Sequence, residues 1–122
     1  MTGTSRHAAG LEGVDARRLA QEVLAPHGVS QRVLDDVLMV VAELVSNAVR
    51  HAGGVTAFDV RHRQDEVAIE VSDASPLLPV SPGTPATVPG GFGWLLVNRM
   101  ATRTEIRADR RGKTITAYLP LT

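Results

Sequence analysis

The chain contains no cysteine. That excludes a disulfide framework and a thiolate site, and it fits a reducing cytoplasm, which is the expected location. No apolar run reaches the ~20 residues of a membrane span. The first residues, MTGTSRHAAG, lack the apolar core of a signal peptide, so no membrane association is expected. An excess of one charge is missing as well. Lys plus Arg and Asp plus Glu number 13 each, so nothing global draws the chain to nucleic acid. There is no internal repeat and no linker. The 122 residues, 43% hydrophobic and 21% charged, suit one globular domain with a single modest core.

What is present is concentrated in one stretch, VAELVSNAVRHA, from Val41 to Ala52. At about 100° per residue, Glu43, Asn47 and Arg50 fall on one stripe of a helix, with Leu44, Val45, Ala48 and Val49 crowding around them. A carboxylate, an amide and a guanidinium aligned on an otherwise apolar helix point to a site for a charged ligand, with a metal as one route to it.

The surrounding pattern places this helix in an α+β domain. Residues 1–12 are small and polar and are expected to be flexible, with the domain running from 13 to 122. A first helix is expected from Asp15, its N-cap, to Leu24, stopped by Pro26 and Gly28. Ser30 can cap a second, longer helix that Gly53-Gly54 ends. Two strands follow, Val55 to Arg63 and Glu66 to Ser72, joined through Gln64-Asp65. Residues 74–91 hold five of the seven prolines and show no helical or strand period, as a functional lid or binding loop would. Gly93 to Ala101 reads as a third helix. Thr104 to Asp109 and Lys113 to Leu119 read as a closing hairpin around Arg110-Arg111-Gly112. After residue 98, Arg99, Arg103, Arg107, Arg110, Arg111 and Lys113 stand against only Glu105 and Asp109. This basic end is either a charge-protected strand edge or a docking surface.

Three further signals sit at element ends. Asp73 follows an alternating strand, in VSDASPLLP, where a carboxylate either forms a turn or accepts a hydrogen bond from an exocyclic amine. Gly90-Gly91-Phe92-Gly93 precedes the third helix, where backbone N–H groups can approach phosphate. Gly112-Lys113-Thr114 opens the last strand; it is not a Walker loop, which would need a glycine where Arg107 stands.

In their order these motifs resemble the ATP-binding fold shared by gyrase, Hsp90, histidine kinases and MutL. They look most like the small histidine-kinase-like ATPases of bacterial anti-sigma factor kinases. ELVSNAVRHA is similar to the family's N-box, VSDASPLLP to its D-x-S-P adenine box, GGFGWLLV to its glycine box and GKTITAYLP to its closing strand. The resemblance implies a two-layer α/β sandwich of the Bergerat type: a mixed, mostly antiparallel sheet of about four strands, covered on one face by three helices. With few residues before Asp15 to form the extra N-terminal strand of many relatives, a narrow sheet is expected.

Carried onto this chain, the resemblance implies ATP and Mg²⁺ as cofactors. Asn47 would give its side-chain oxygen to Mg²⁺. Glu43 would orient or deprotonate the attacking hydroxyl near the γ-phosphate, and Arg50 would contact phosphate. Asp73 would read the adenine amine, with Ser75 and Thr114 beside the ring. Gly91, Phe92 and Gly93 would bring the lid to the phosphates. Trp94 stands where the family has leucine, and it would either pack over the nucleotide or fill space that the base needs. No phosphoacceptor helix pair and no transducer domain accompany the motifs. The implied activity is phosphoryl transfer to Ser or Thr of an anti-anti-sigma (STAS-type) partner, with a sigma factor as a second partner. A nucleotide-binding interaction module without phosphoryl transfer is the alternative, and apolar surface near the first helix leaves a homodimer open.

Overall fold

The computed structural model describes residues 3–7, 11–77 and 91–122. In chain order the elements are strand β1 (Gly3–His7), helix α1 (Gly13–Leu24), a single 3₁₀ turn (Ala25–His27), helix α2 (Gln31–Ala52), strands β2 (Val55–His62) and β3 (Glu66–Asp73), helix α3 (Gly91–Met100), and strands β4 (Arg103–Asp109) and β5 (Gly112–Pro120).

Each helix begins and ends for a local reason. At the start of α1 the Glu12 N–H donates to Asp15 Oδ2 at 3.2 Å. Asp15 therefore lies inside the first turn and reaches back to Glu12, which corrects its expected place as the N-cap. Ala16, Ala20 and Leu24, four residues apart, form the buried stripe of α1. Ser30 does cap α2: its Oγ accepts the Val33 N–H at 3.2 Å, a contact worth about 1 kcal/mol. Gly53 ends α2 at φ 75°, a conformation that costs a side-chain-bearing residue, and the Gly54 N–H then donates to the Ala48 carbonyl at 2.9 Å. Val33, Val37, Val40, Val41, Leu44, Val45 and Ala48 of α2 face the core. Val49 does not: it is 54% exposed, against the expectation that it crowds the Glu43–Asn47 stripe.

The sheet has the order β1-β2-β3-β5-β4, and every neighbouring pair is antiparallel. It is one strand wider than expected, because Gly3–His7 pairs with Arg61 to Ala57 of β2. Alternation assigns the two faces. Phe58 and Val60, then Val67, Ile69 and Val71, then Ile115, Ala117 and Leu119 turn toward the helices and join their stripes in one core. Glu70, Ser72, Thr114 and Thr116 turn the other way. The result is the expected two-layer sandwich with its helices on one face. No helix among the described residues is long and apolar enough to cross a membrane.

The expected basic patch is partly structural. Arg103 of edge strand β4 donates two hydrogen bonds to Glu66, at 3.0 and 3.2 Å, and lies 3.7 Å over the Tyr118 ring.

At the same end of the sheet, the last residue of β2, His62, stacks on His27 with ring centroids 3.9 Å apart. Burial, and then the neighbouring imidazole, push the His62 pKa below its ordinary value of 6.5. A lowered folded-state pKa means that the unfolded chain takes up the proton first. The stability gained from this site is therefore complete above about pH 6.5 and is lost as pH falls through the folded pKa. Melting curves of the wild type and His62→Ala between pH 7.5 and 5 should show the gap in Tm narrowing toward low pH. A gap independent of pH would contradict this assignment.

Candidate functional site

Helix α2 carries the first half of the site. Glu43 and Asn47 are four residues apart, one turn or about 6 Å along the axis, and both are half-buried. Asn47 Oδ1 is fully shielded from solvent and accepts no hydrogen bond from any described residue. A buried carbonyl oxygen without a donor is costly, by about 1–3 kcal/mol, so this oxygen is poised for a ligand. Among the described residues Glu43 forms no ion pair, with Arg50 or Arg99 or any other cation. Arg50 and His51 are exposed at the end of α2.

Helix α3 closes on this carboxylate. A methyl group built on Gly93 would overlap Glu43 Oε2 and come within 3.1 Å of its Cδ, so glycine is what allows α3 to lie directly on Glu43. Glu43, Gly93, Leu96 and Arg99 line a cavity of about 210 Å³ between the two helices. The glycine pattern therefore has a concrete purpose at position 93. Gly91 begins α3, while the Phe92 side chain and the lid at 78–90 lie outside the described residues. Trp94, 9% exposed, packs into the core cluster beside Val97, so the indole forms part of the wall of the domain.

The second half of the site is the end of β3. Asp73 is 6% exposed, and its alternation places it on the helix-facing side, opposite Val55 of β2. Its Oδ1 accepts the Ser75 N–H at 2.9 Å, which turns the chain sharply after the strand. Here the structure adds a residue that the sequence reading left on the surface. Lys113, the only lysine in the sequence, is Asp73's cross-strand partner. Its Nζ lies 2.9 Å from Asp73 Oδ2 and 3.1 Å from Oδ1, with the lysine and aspartate side chains 7% and 4% exposed. The same ammonium donates to the Ser75 carbonyl at 3.3 Å.

Thr114 is one residue too far along to share this position. It points to the opposite face of the sheet, where its hydroxyl and that of Ser72 hydrogen-bond at 2.7 Å. Thr114 and Ser72 nonetheless border, together with Asp73 and Lys113, one cavity of about 240 Å³ at this end of the sheet. The inward run Ile115, Ala117, Leu119 already carried the signal, because a period of two extends it back to 113. Gly112 makes the approach of the strands possible, since a Cβ there would overlap the Asp73 carbonyl and lie 3.0 Å from Ala74 Cα.

The structure therefore groups the expected residues in two places. Glu43 and Gly93 meet between α2 and α3, with Asn47 one turn along α2, while Asp73 and Ser75 lie at the end of β3. Arg50 stays in solvent and Thr114 on the far face.

The RsbU and RsbW domains of Rv1364c from Mycobacterium tuberculosis share the fold, with a TM-score of 0.71 at 17% identity over 98% of this chain. This chain spans 32% of that one, about a third of its length. The histidine kinase domain of the Escherichia coli osmosensor EnvZ aligns over all of this chain and 89% of its own, at 17% identity and a TM-score of 0.48. A search of curated proteins found no match. Residues 8–119 match the histidine kinase-like ATPase domain, and the chain belongs to that family.

Proposed function

We propose that the chain binds Mg·ATP along α2, with Asp73 and Ser75 at the base end and the start of α3 at the phosphate end. We further propose that it transfers the γ-phosphate to a Ser or Thr of an anti-anti-sigma (STAS-type) protein, controlling transcription through a sigma factor. The observation that carries this reading is that, among the described residues, a buried Asn47 Oδ1 without a donor lies one turn from a Glu43 carboxylate without an ion pair.

The residues fit the cofactors. Mg²⁺ prefers hard oxygen ligands and commonly takes one or two from protein, with phosphate and water supplying the rest. Asn47 offers one such oxygen. A bound Mg²⁺ would neutralise charge on the phosphates. The chain's own part is to hold and orient. Glu43 would accept the proton of the attacking hydroxyl or align it, and α3, seated on Glu43 through Gly93, would keep that carboxylate facing the reaction. Arg50, exposed at the end of the same stripe, would contact phosphate once nucleotide is bound. The RsbW domain of the fold neighbour supports the anti-sigma reading.

Incubation with γ-labelled Mg·ATP and a STAS protein tests the proposal. Label on a Ser or Thr of the partner is the expected result. The second reading, a nucleotide-binding module without transfer, has one observation in its favour: the Asp73 carboxylate is already engaged by Lys113. Bound nucleotide with no transfer to any STAS partner would select it. No binding at all would reject both. A melting assay reads binding directly, since ligand at ~100 times its Kd adds about 2.7 kcal/mol.

A further inference from the structure

The buried Lys113–Asp73 pair bears on which base the site accepts. An adenine amine is a neutral donor and needs a lone pair of the Asp73 carboxylate. That carboxylate is already engaged: its Oδ1 accepts the Ser75 N–H at 2.9 Å and Lys113 Nζ at 3.1 Å, and the same ammonium lies 2.9 Å from Oδ2 as an ion pair. Two ionised oxygens offer about four acceptor sites, so little capacity is left. The competition is also unequal. An ammonium–carboxylate hydrogen bond is roughly twice as strong as one from a neutral donor. Lys113 is held in place as well, since its third proton is satisfied by the Ser75 carbonyl at 3.3 Å.

We propose that Lys113 is the specificity-determining residue of the nucleotide site: it occupies the Asp73 carboxylate as an internal counter-ion and suppresses recognition of the purine amine. The proposal rests on the reading of Asp73 as the base end of a nucleotide site. It predicts a site that discriminates poorly among purines, with affinity residing in the phosphate end at Asn47. Adenine is read only when the ammonium moves aside.

The test compares ATP with ITP, which differ at the base by the exocyclic amine, in the wild type and in Lys113→Thr. This variant keeps a donor hydroxyl and removes the charge. Calorimetry should give near-equal affinities for the two nucleotides in the wild type. In Lys113→Thr, ATP should bind about 10- to 100-fold more tightly than ITP, the range expected of a hydrogen bond to a charged acceptor. A wild type that already favours ATP over ITP tenfold or more would overturn the inference and leave the nucleotide site standing. Equal affinities in the variant would do the same. Failure of both proteins to bind either nucleotide would overturn the reading of the site itself. Should Lys113→Thr not fold, the wild type still decides. Selective ¹⁵N labelling of lysine gives a single side-chain ammonium signal, that of Lys113. The inference requires that signal to keep its position and its exchange protection when ATP saturates the protein. A signal that loses its protection in the ATP complex, as the ammonium leaves Asp73, would overturn it.

Discussion

Replacing Glu43 with Gln is expected to reduce phosphoryl transfer to the partner by about 10²- to 10⁴-fold, the range typical of a general base. Nucleotide affinity should stay close to the wild type. The glutamine side chain has nearly the same shape and still fits against Gly93, but it cannot take a proton. Gly93→Ala should give a related loss by another route. The added methyl group would occupy the space of Glu43 Oε2, and the flexible carboxylate would swing away at little cost in stability. Single-turnover transfer with labelled ATP, run beside a binding isotherm, measures both quantities. A Glu43→Gln protein that transfers phosphate at the wild-type rate would remove Glu43 from the chemistry.

Asp73→Ala should have the largest effect on stability, about 3–5 kcal/mol. The reason is what remains: Lys113, with a side chain 7% exposed, would keep an ammonium facing an apolar gap and the Ser75 carbonyl alone. Because the penalty belongs to the stranded charge and not to the lost bond, the double variant Asp73→Ala/Lys113→Met should recover most of the stability. Urea denaturation of the three proteins checks this. Additive losses in the double variant would show that the two side chains are not coupled. Asp73→Asn, which keeps an acceptor for the Ser75 N–H and for Lys113, should be milder than Asp73→Ala.

The parts of this molecule that were legible in its sequence are those governed by short-range rules. Helix α2 could be read from its apolar period, its Ser30 cap and the glycine pair at its end, and with it the stripe of Glu43, Asn47 and Arg50. The β2–β3 and β4–β5 hairpins followed from alternation and turn residues. Asp15 was misplaced because an acid before an apolar stripe fits either the N-cap or the third helical position. Only the Glu12 N–H contact separates the two. Strand β1 was missed for a different reason. GTSRH has neither a β-branched run nor a clear alternation, and it becomes a strand by adding to the free edge of β2. Lys113 was overlooked because a lone lysine after a turn is ordinarily solvated. Its burial depends on a carboxylate 40 residues away in sequence, contributed by another strand. Long-range pairing of charge leaves no local mark, although strand parity did point to position 113 rather than 114.

The central claim is that Asn47 Oδ1 and the phosphates share one divalent ion. Titration of a non-hydrolysable ATP analogue, with and without Mg²⁺, into the wild type and Asn47→Ala tests it most directly. The account predicts that Mg²⁺ strengthens binding to the wild type by tenfold or more, and that the strengthening largely disappears in Asn47→Ala. The same Mg²⁺ dependence in both proteins would contradict it.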